Sequence, residues 1–152
     1  MIFKNIVGRI IYYLCYPILM LILRGSTRAY AIIRLEDKIL LTQSMLDYKL
    51  RWHLPGGGIK RNETAVIGLR REIYEELGIK VSDKDLALLT EKPIASKHHY
   101  VYYIYLLDLD SIPALSLRRF EITDARFVAL SEIHSIPISD TVKKSLTLIP
   151  LK

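Results

Sequence analysis

The chain has 152 residues, a net charge of +6 and a hydrophobic share of 51%, which suits one ordinary globular domain. Its one cysteine, Cys15, excludes an intramolecular disulfide. Five basic residues precede the first acidic residue, Glu36: Lys4, Arg9, Arg24, Arg28 and Arg34. A basic protein attracts polyanions such as phosphorylated small molecules. Nucleic acid is not expected as a partner, because no basic cluster with interleaved aromatic residues is present.

An apolar segment begins the chain. Residues 10–23 carry no charge, but fourteen residues are fewer than the roughly 20 that a membrane span needs. Apolar side chains recur at helical spacing over residues 2–14, so we predict an apolar, amphipathic helical arm at residues 1–24.

Three interpretations of this arm remain open. It can pack against the domain or a second subunit as a homodimer contact. It can lie on a membrane surface, with Arg9, Arg24 and Arg28 attracting anionic lipid. A signal peptide or true span is the weakest interpretation, because arginines separate the apolar run from the one cleavage-like site. We therefore expect a cytoplasmic protein, peripheral at the inner membrane face under the second interpretation.

Residues 25–152 are predicted to form one domain after a hinge at Gly25. Strands are predicted over 27–35, 38–43, 86–90, 99–109 and 125–130. Helices are predicted over 63–77 and 139–148, with a loop over 44–58. Strands with helices segregated around them indicate an α/β or α+β domain.

The first of these helices carries three glutamates on one face. Glu72, Glu75 and Glu76 stand at i, i+3 and i+4. Crowded carboxylates repel one another unless a cation neutralises them, and Mg²⁺ prefers oxygen ligands while leaving positions open for substrate phosphates. Spacing alone leaves the alternative of a merely acidic surface face.

The wider segment from Gly57 to Ile79 reads GGIKRNETAVIGLRREIYEELGI. It resembles the Nudix box, the signature of the Nudix hydrolases, at every fixed position. Those positions are Gly57, Glu63, Arg71, Glu72, Ile73, Glu75, Glu76, Gly78 and Ile79. The resemblance implies a Nudix-type α/β/α sandwich with a mixed sheet, and a Mg²⁺-dependent enzyme in which Mn²⁺ can substitute.

The resemblance also implies roles for individual residues. Glu63 and Arg71 would form an ion pair that braces the glycine loop against the helix. A Glu in a loop before a later strand reaches the metal in related enzymes, and Glu121 is the candidate here. Glu72 or Glu121 would act as the base. The implied metal ligands are Gly57 through its carbonyl, Glu72, Glu75, Glu76 and Glu121.

The substrate side is less determined. Gly56 and Gly58 let the backbone approach phosphates closely. Lys60 stands where many relatives carry Glu, and its charge either favours an anionic substrate or is solvated. Asn62 is expected to cap the helix. The candidates for a base-stacking ring or a polar contact are His98, His99, Tyr100, Tyr102, Tyr103 and Tyr105.

We expect hydrolysis of the pyrophosphate bond of a nucleoside diphosphate linked to another moiety, or of a related nucleotide. The partner would be a nucleotide-type phosphorylated small molecule. Two alternatives remain: a catalytically silent Nudix domain that binds or senses nucleotides, and an RNA-decapping type of Nudix enzyme.

Overall fold

The computed structural model describes residues 25–45, 47, 49–96, 99–118 and 121–150. The predicted arm, residues 1–24, and the candidate His98 lie outside these residues. Two α-helices occur in the described part, α1 (Ala65–Leu77) and α2 (Asp140–Leu146), besides two short 3-10 turns. The strands there are β1 (Thr27–Leu35), β2 (Lys38–Ser44), β3 (Trp52–His53), β4 (Gly56–Gly58), β5 (Ala87–Leu88), β6 (Ile94–Ala95), β7 (Val101–Asp108) and β8 (Ile122–Ala129). Across these ranges no helix has the length and hydropathy that crossing a bilayer requires.

Strand β1 lies at the centre of a mixed sheet. The strand order is β3-β2-β1-β7-β5, with β8 paired to β2 and β6 paired to β7. β1 runs parallel to β7 from Thr27 to Arg34, but pairs with β2 only at Arg34 and Leu35. At the other end of β1, the short strand β4 pairs with residues 28–30. The glycine triplet therefore lies against the beginning of the central strand.

One helix covers each face of the sheet. On the first face, Leu69 and Ile73 of α1 pack in a buried cluster with Ile33 of β1. On the second face, Val142 of α2 packs in another buried cluster with Ile32. Neighbouring residues of β1 serve opposite cores because side chains alternate along a strand. The predicted sandwich with a mixed sheet is confirmed.

Helix α1 begins later than the sequence predicts. Thr64, rather than Asn62, caps it, since the Thr64 hydroxyl accepts a hydrogen bond from the Ile67 N–H at 3.3 Å. Glu63 therefore precedes the helix and does not lie on it. The helix ends as predicted at Gly78, whose φ of 74° is the left-handed conformation that glycine adopts without strain.

The predicted loop over residues 44–58 contains β3 and β4. Strand β6 was not predicted, and β8 begins at Ile122 instead of residue 125. Strands of two or three residues are too short to show a periodicity, and each of these pairs with a longer strand, β1, β2 or β7. Pairing with longer strands, not local propensity, creates them.

Candidate active site

Strand β4 brings the glycine triplet into contact with both β1 and α1. Gly56 has a φ of 128°, and a Cβ there would lie 2.3 Å from the Ala29 carbonyl oxygen. A Cβ at Gly57 would lie 2.6 Å from Cδ of Glu72. A Cβ at Gly58 would meet nothing within 4 Å. Gly56 and Gly57 thus let the loop backbone pass directly beside the carboxylates of the helix.

Glu76 is a buried carboxyl group, only 6% exposed, whose Oε2 accepts a hydrogen bond from the Gly56 N–H at 2.9 Å. Burial raises its pKa to about 8, and the charges of Glu72 and Glu121 add to the rise, while the Gly56 N–H and Arg28 oppose it. A buried carboxylate with acidic neighbours is costly unless a cation neutralises it. This group therefore fits a cation ligand.

Arg71 joins the glycine strand to the helix. Its guanidinium donates to both oxygens of Glu63 at 2.8 and 2.9 Å, to the Gly58 carbonyl at 2.9 Å and to Oε1 of Glu72 at 2.8 Å. The hydrogen bonds from Arg71 lower the pKa of Glu63 to about 2, and Glu63 also accepts from the Lys60 N–H at 3.0 Å. Arg71 thereby orients Glu72 and fixes the loop. Lys60 itself is exposed.

The expected ion pair between Glu63 and Arg71 is present, but its setting differs in one respect. The predicted helix over 63–77 would place the two residues two turns apart on that helix. In the structure Glu63 lies in the turn before α1, and Arg71 reaches back to it. The ion pair therefore links loop to helix, rather than two turns of one helix.

Arg118 is a site residue that the sequence reasoning missed. Its Nη1 lies 3.3 Å from Oε2 of Glu75 and 3.7 Å from Oε2 of Glu121. Its backbone N–H donates to the carbonyl of Glu76 at 3.1 Å, so the segment before β8 is held against the end of α1. Glu121 thus lies beside the carboxylates of the helix, directly before β8. No periodic signal marks Arg118, because it lies outside any helix or strand.

The donor chemistry of the cluster fits a hard divalent cation. In their present positions, however, no three acidic side chains of the described residues are close enough together to bind one metal ion. Arg71 and Arg118 contact their oxygens instead. Cation binding would require Arg118, whose side chain is 54% exposed, to release its partners. The four carboxylates concerned are Glu72, Glu75, Glu76 and Glu121.

Arg28 was also missed as a site residue. It lies on β1 opposite Gly58, and its Nε donates to the Tyr30 hydroxyl at 2.8 Å. Its guanidinium carbon lies 5.7 Å from the ring centre of Tyr30 and 5.5 Å from that of Tyr100. Arg28 was predicted to belong to the basic flank of the arm. A partly buried position within the sheet is not that of an exposed flanking residue.

The tyrosines of β7 differ in accessibility. Tyr102 and Tyr105 are 2% and 7% exposed, so neither ring can stack on a base. Tyr100 and Tyr103 are partly buried, and His99 is exposed. Among the described candidates, those three keep surface available for a ligand.

A model of the NUDIX domain family matches residues 25–149. The chain belongs to the Nudix family. The predicted enzyme class, a Nudix hydrolase acting on phosphorus anhydrides, is confirmed by this match and by relatives named as phosphatases. Use of divalent metal ions is general in the Nudix family, which agrees with the carboxylate cluster.

Known Nudix proteins resemble the chain over most of its length. Phosphatase NudJ of Escherichia coli strain K12 is 24% identical over 102 residues, 67% of each chain. A MutT NUDIX hydrolase structure from Burkholderia pseudomallei has a TM-score of 0.72 and 23% identity, covering 84% of this chain and 99% of that one.

A bifunctional NMN adenylyltransferase/ADP ribose pyrophosphatase from Francisella tularensis, complexed with AMP and a Mn ion, has a TM-score of 0.69 and 22% identity. That match covers 90% of this chain but 46% of the other. At these identities the structural matches show a shared fold.

Proposed function

We propose that this Nudix hydrolase cleaves the pyrophosphate bond of a nucleoside diphosphate linked to another moiety, with Mg²⁺ as cofactor and Mn²⁺ able to substitute. The observation that carries the proposal is Glu76, a buried carboxyl group against the glycine strand, with further carboxylates on the same helix face. The ADP ribose pyrophosphatase among the structural relatives supports this substrate class.

The residues that would hold Mg²⁺ are the Gly57 carbonyl, Glu72, Glu75, Glu76 and Glu121. The bound ion would neutralise the phosphate oxygens and make a water molecule easier to deprotonate. Gly56 and Gly58 place backbone beside this cluster, where a diphosphate can approach without meeting side chains at those two positions. Lys60, on the exposed turn after β4, would add positive charge on the substrate side.

The attacking water must give its proton to a carboxylate. Glu72 already has one oxygen held by Arg71 at 2.8 Å, whereas the Glu121 carboxylate lies no nearer than 3.7 Å to its ion-pair partner Arg118. We therefore assign the base to Glu121 first and to Glu72 second. A new P–O bond forms to the water oxygen, and the bridging P–O bond breaks. The products are a nucleoside monophosphate and the remaining phosphate-bearing fragment.

Arg71 and Glu63 are positioning residues in this mechanism. Arg71 holds Glu72 and the Gly58 carbonyl at the same time, and Glu63 neutralises the guanidinium from the loop side. Removing either partner would release the glycine strand from the helix. We expect the reaction to suffer through misplacement of the metal ligands rather than through a lost contact to the substrate.

The proposal is tested by a turnover screen with Mg²⁺ and with Mn²⁺. The panel contains nucleoside di- and triphosphates, sugar nucleotides, dinucleoside polyphosphates and capped RNA. We expect hydrolysis of at least one nucleoside diphosphate derivative only when a divalent ion is present. Tight nucleotide binding without turnover would instead identify a silent sensing module, and selective cleavage of capped RNA would identify a decapping enzyme.

The helical arm at residues 1–24 remains a prediction, and its partner is either a membrane surface or a second subunit. Every residue of the proposed site follows Gly25, so a chain of residues 25–152 should retain turnover. Co-sedimentation with vesicles of anionic lipid distinguishes the two partners, since membrane binding by basic residues weakens with salt. If removal of residues 1–24 converts a dimer into a monomer in the absence of vesicles, the result favours the contact with a second subunit.

A further inference from the structure

Arg28 carries a positive charge that no carboxylate of the described residues contacts. Its guanidinium forms no ion pair there and donates instead to the neutral hydroxyl of Tyr30. Arginine is always charged, and partly buried charges in proteins are normally paired. Such a group, in an enzyme for phosphorylated substrates, points to an anion supplied from outside.

The guanidinium is held in a fixed orientation. Its Nε is used by the Tyr30 hydroxyl at 2.8 Å, and the rings of Tyr30 and Tyr100 lie within cation–π distance. Tyr30 in turn packs edge-on against the buried ring of Tyr102, with the ring centres 5.8 Å apart. This arrangement leaves the two terminal nitrogens as donors. Their fork geometry matches two oxygens of one phosphate group.

The position of Arg28 relates it to the carboxylate cluster. Its cross-strand partner is Gly58, whose carbonyl accepts a hydrogen bond from Arg71 on the other side. Arg71 also donates to Glu72 at 2.8 Å, so Gly58 stands between Arg28 and the carboxylate cluster. Arg28 thus lies beside the place where the diphosphate would bind, but on the second face of the sheet, next to Tyr30.

We propose that Arg28 forms a phosphate subsite that binds a phosphate group of the substrate beyond the two joined by the scissile bond. This inference rests on the proposed function and narrows its substrate class. Compounds with at least three phosphates in a row, such as nucleoside triphosphates, would be bound better than a diphosphate esterified at both ends, such as ADP-ribose. The selectivity comes from the third phosphate, because the other two are handled by the carboxylate cluster in either case.

The test compares two methylene-bridged analogues with the same base, a nucleoside triphosphate and a nucleoside diphosphate, by calorimetry with Mg²⁺. The native protein should bind the triphosphate analogue about tenfold or more tightly than the diphosphate analogue, which is the usual size of a charge-assisted contact. In Arg28→Met this difference should fall below about twofold. Arg70→Met is the matched control, since it removes an exposed arginine whose partners are Val81 and Asp83, and it should keep the native difference.

A second variant guards against a failure of Arg28→Met to fold. Arg28→Lys keeps the charge and loses the fork, so the preference for the triphosphate analogue should drop severalfold. The subsite is overturned if folded Arg28→Met keeps the native preference for the triphosphate analogue. If Arg28→Met does not fold, the same result in Arg28→Lys overturns it. The absence of this preference in the native protein also overturns it. Binding is measured without turnover, so these results are independent of the turnover screen. If the preference depends on Arg28 but no substrate is hydrolysed, the subsite is supported and the proposed function is refuted.

Discussion

Gly57→Ala is expected to disable the enzyme while leaving it folded. The new Cβ would lie 2.6 Å from Cδ of Glu72 and 2.8 Å from both of its carboxylate oxygens. Ordinary contact begins at 3.4 Å, so the carboxylate must move by about 0.8 Å, the difference between those two distances. A misplacement of about 1 Å can cost about a hundredfold in rate. We expect a loss of that order in kcat.

The stability cost of Gly57→Ala should be small by comparison. The atoms that must move form the end of a flexible side chain, and the interaction at risk is the hydrogen bond from Arg71 to Glu72 at 2.8 Å. Losing it would cost about 1–2 kcal/mol, or a fall of roughly 2–8 °C in Tm for a chain of this length.

Kinetics on the best substrate of the screen and thermal melts measure the two effects. Gly58→Ala is the stability control, because its Cβ meets nothing within 4 Å, and it should melt like the native protein. Native turnover in Gly57→Ala, or unfolding of that variant at room temperature, would refute the reasoning.

Three further predictions concern other parts of the structure. Arg71→Ala and Glu63→Ala should each lower Tm and turnover, and the double variant should lose less than the sum of the single losses; strict additivity would contradict the pairing. Glu121→Gln should lower kcat at least tenfold with little change in Tm, and an unchanged kcat would return Glu121 to a surface role. Burial tends to raise the pKa of Asp47, but hydrogen bonds from its neighbours lower it to about 2. Asp47→Asn should therefore lower the free energy of unfolding, measured by chemical unfolding, by at most about 2 kcal/mol near neutral pH. This difference from the native protein should vanish as the pH falls from about 4 to 2, because a carboxyl group with a depressed folded-state pKa stabilises the fold only while it is ionised. A difference independent of pH would contradict that assignment.

The parts of the fold that were predictable are those determined locally. Helix α1 was predicted with its observed end at Leu77, because its apolar spacing and the glycine that follows it lie within the segment itself. Strand β1 was predicted with its observed bounds, Thr27–Leu35. The start of α1 was wrong by two residues, since Asn62 and Thr64 are both acceptable caps and sequence alone does not choose between them.

The parts that were not predictable depend on distant partners. Arg118 meets Glu75 across 43 positions of sequence, through a segment without regular structure. Arg28 reaches Tyr100 because β1 and β7 are parallel neighbours, and no local pattern specifies that pairing. The carboxylates of the cluster, by contrast, stand within one recognisable segment or just before a strand. Arg28 and Arg118 are distant in sequence from the carboxylates, so only the three-dimensional structure identifies them as part of the site.

The central claim is that the carboxylate cluster binds a divalent cation and that this ion is needed for hydrolysis. Its most direct test measures turnover against Mg²⁺ concentration for the native protein, for Glu76→Gln, and for Glu132→Gln as a control at an exposed glutamate. The account predicts that Glu76→Gln remains folded, needs far more Mg²⁺ and loses most of its turnover, while Glu132→Gln follows the native curve. Native turnover at limiting Mg²⁺ in folded Glu76→Gln would contradict it.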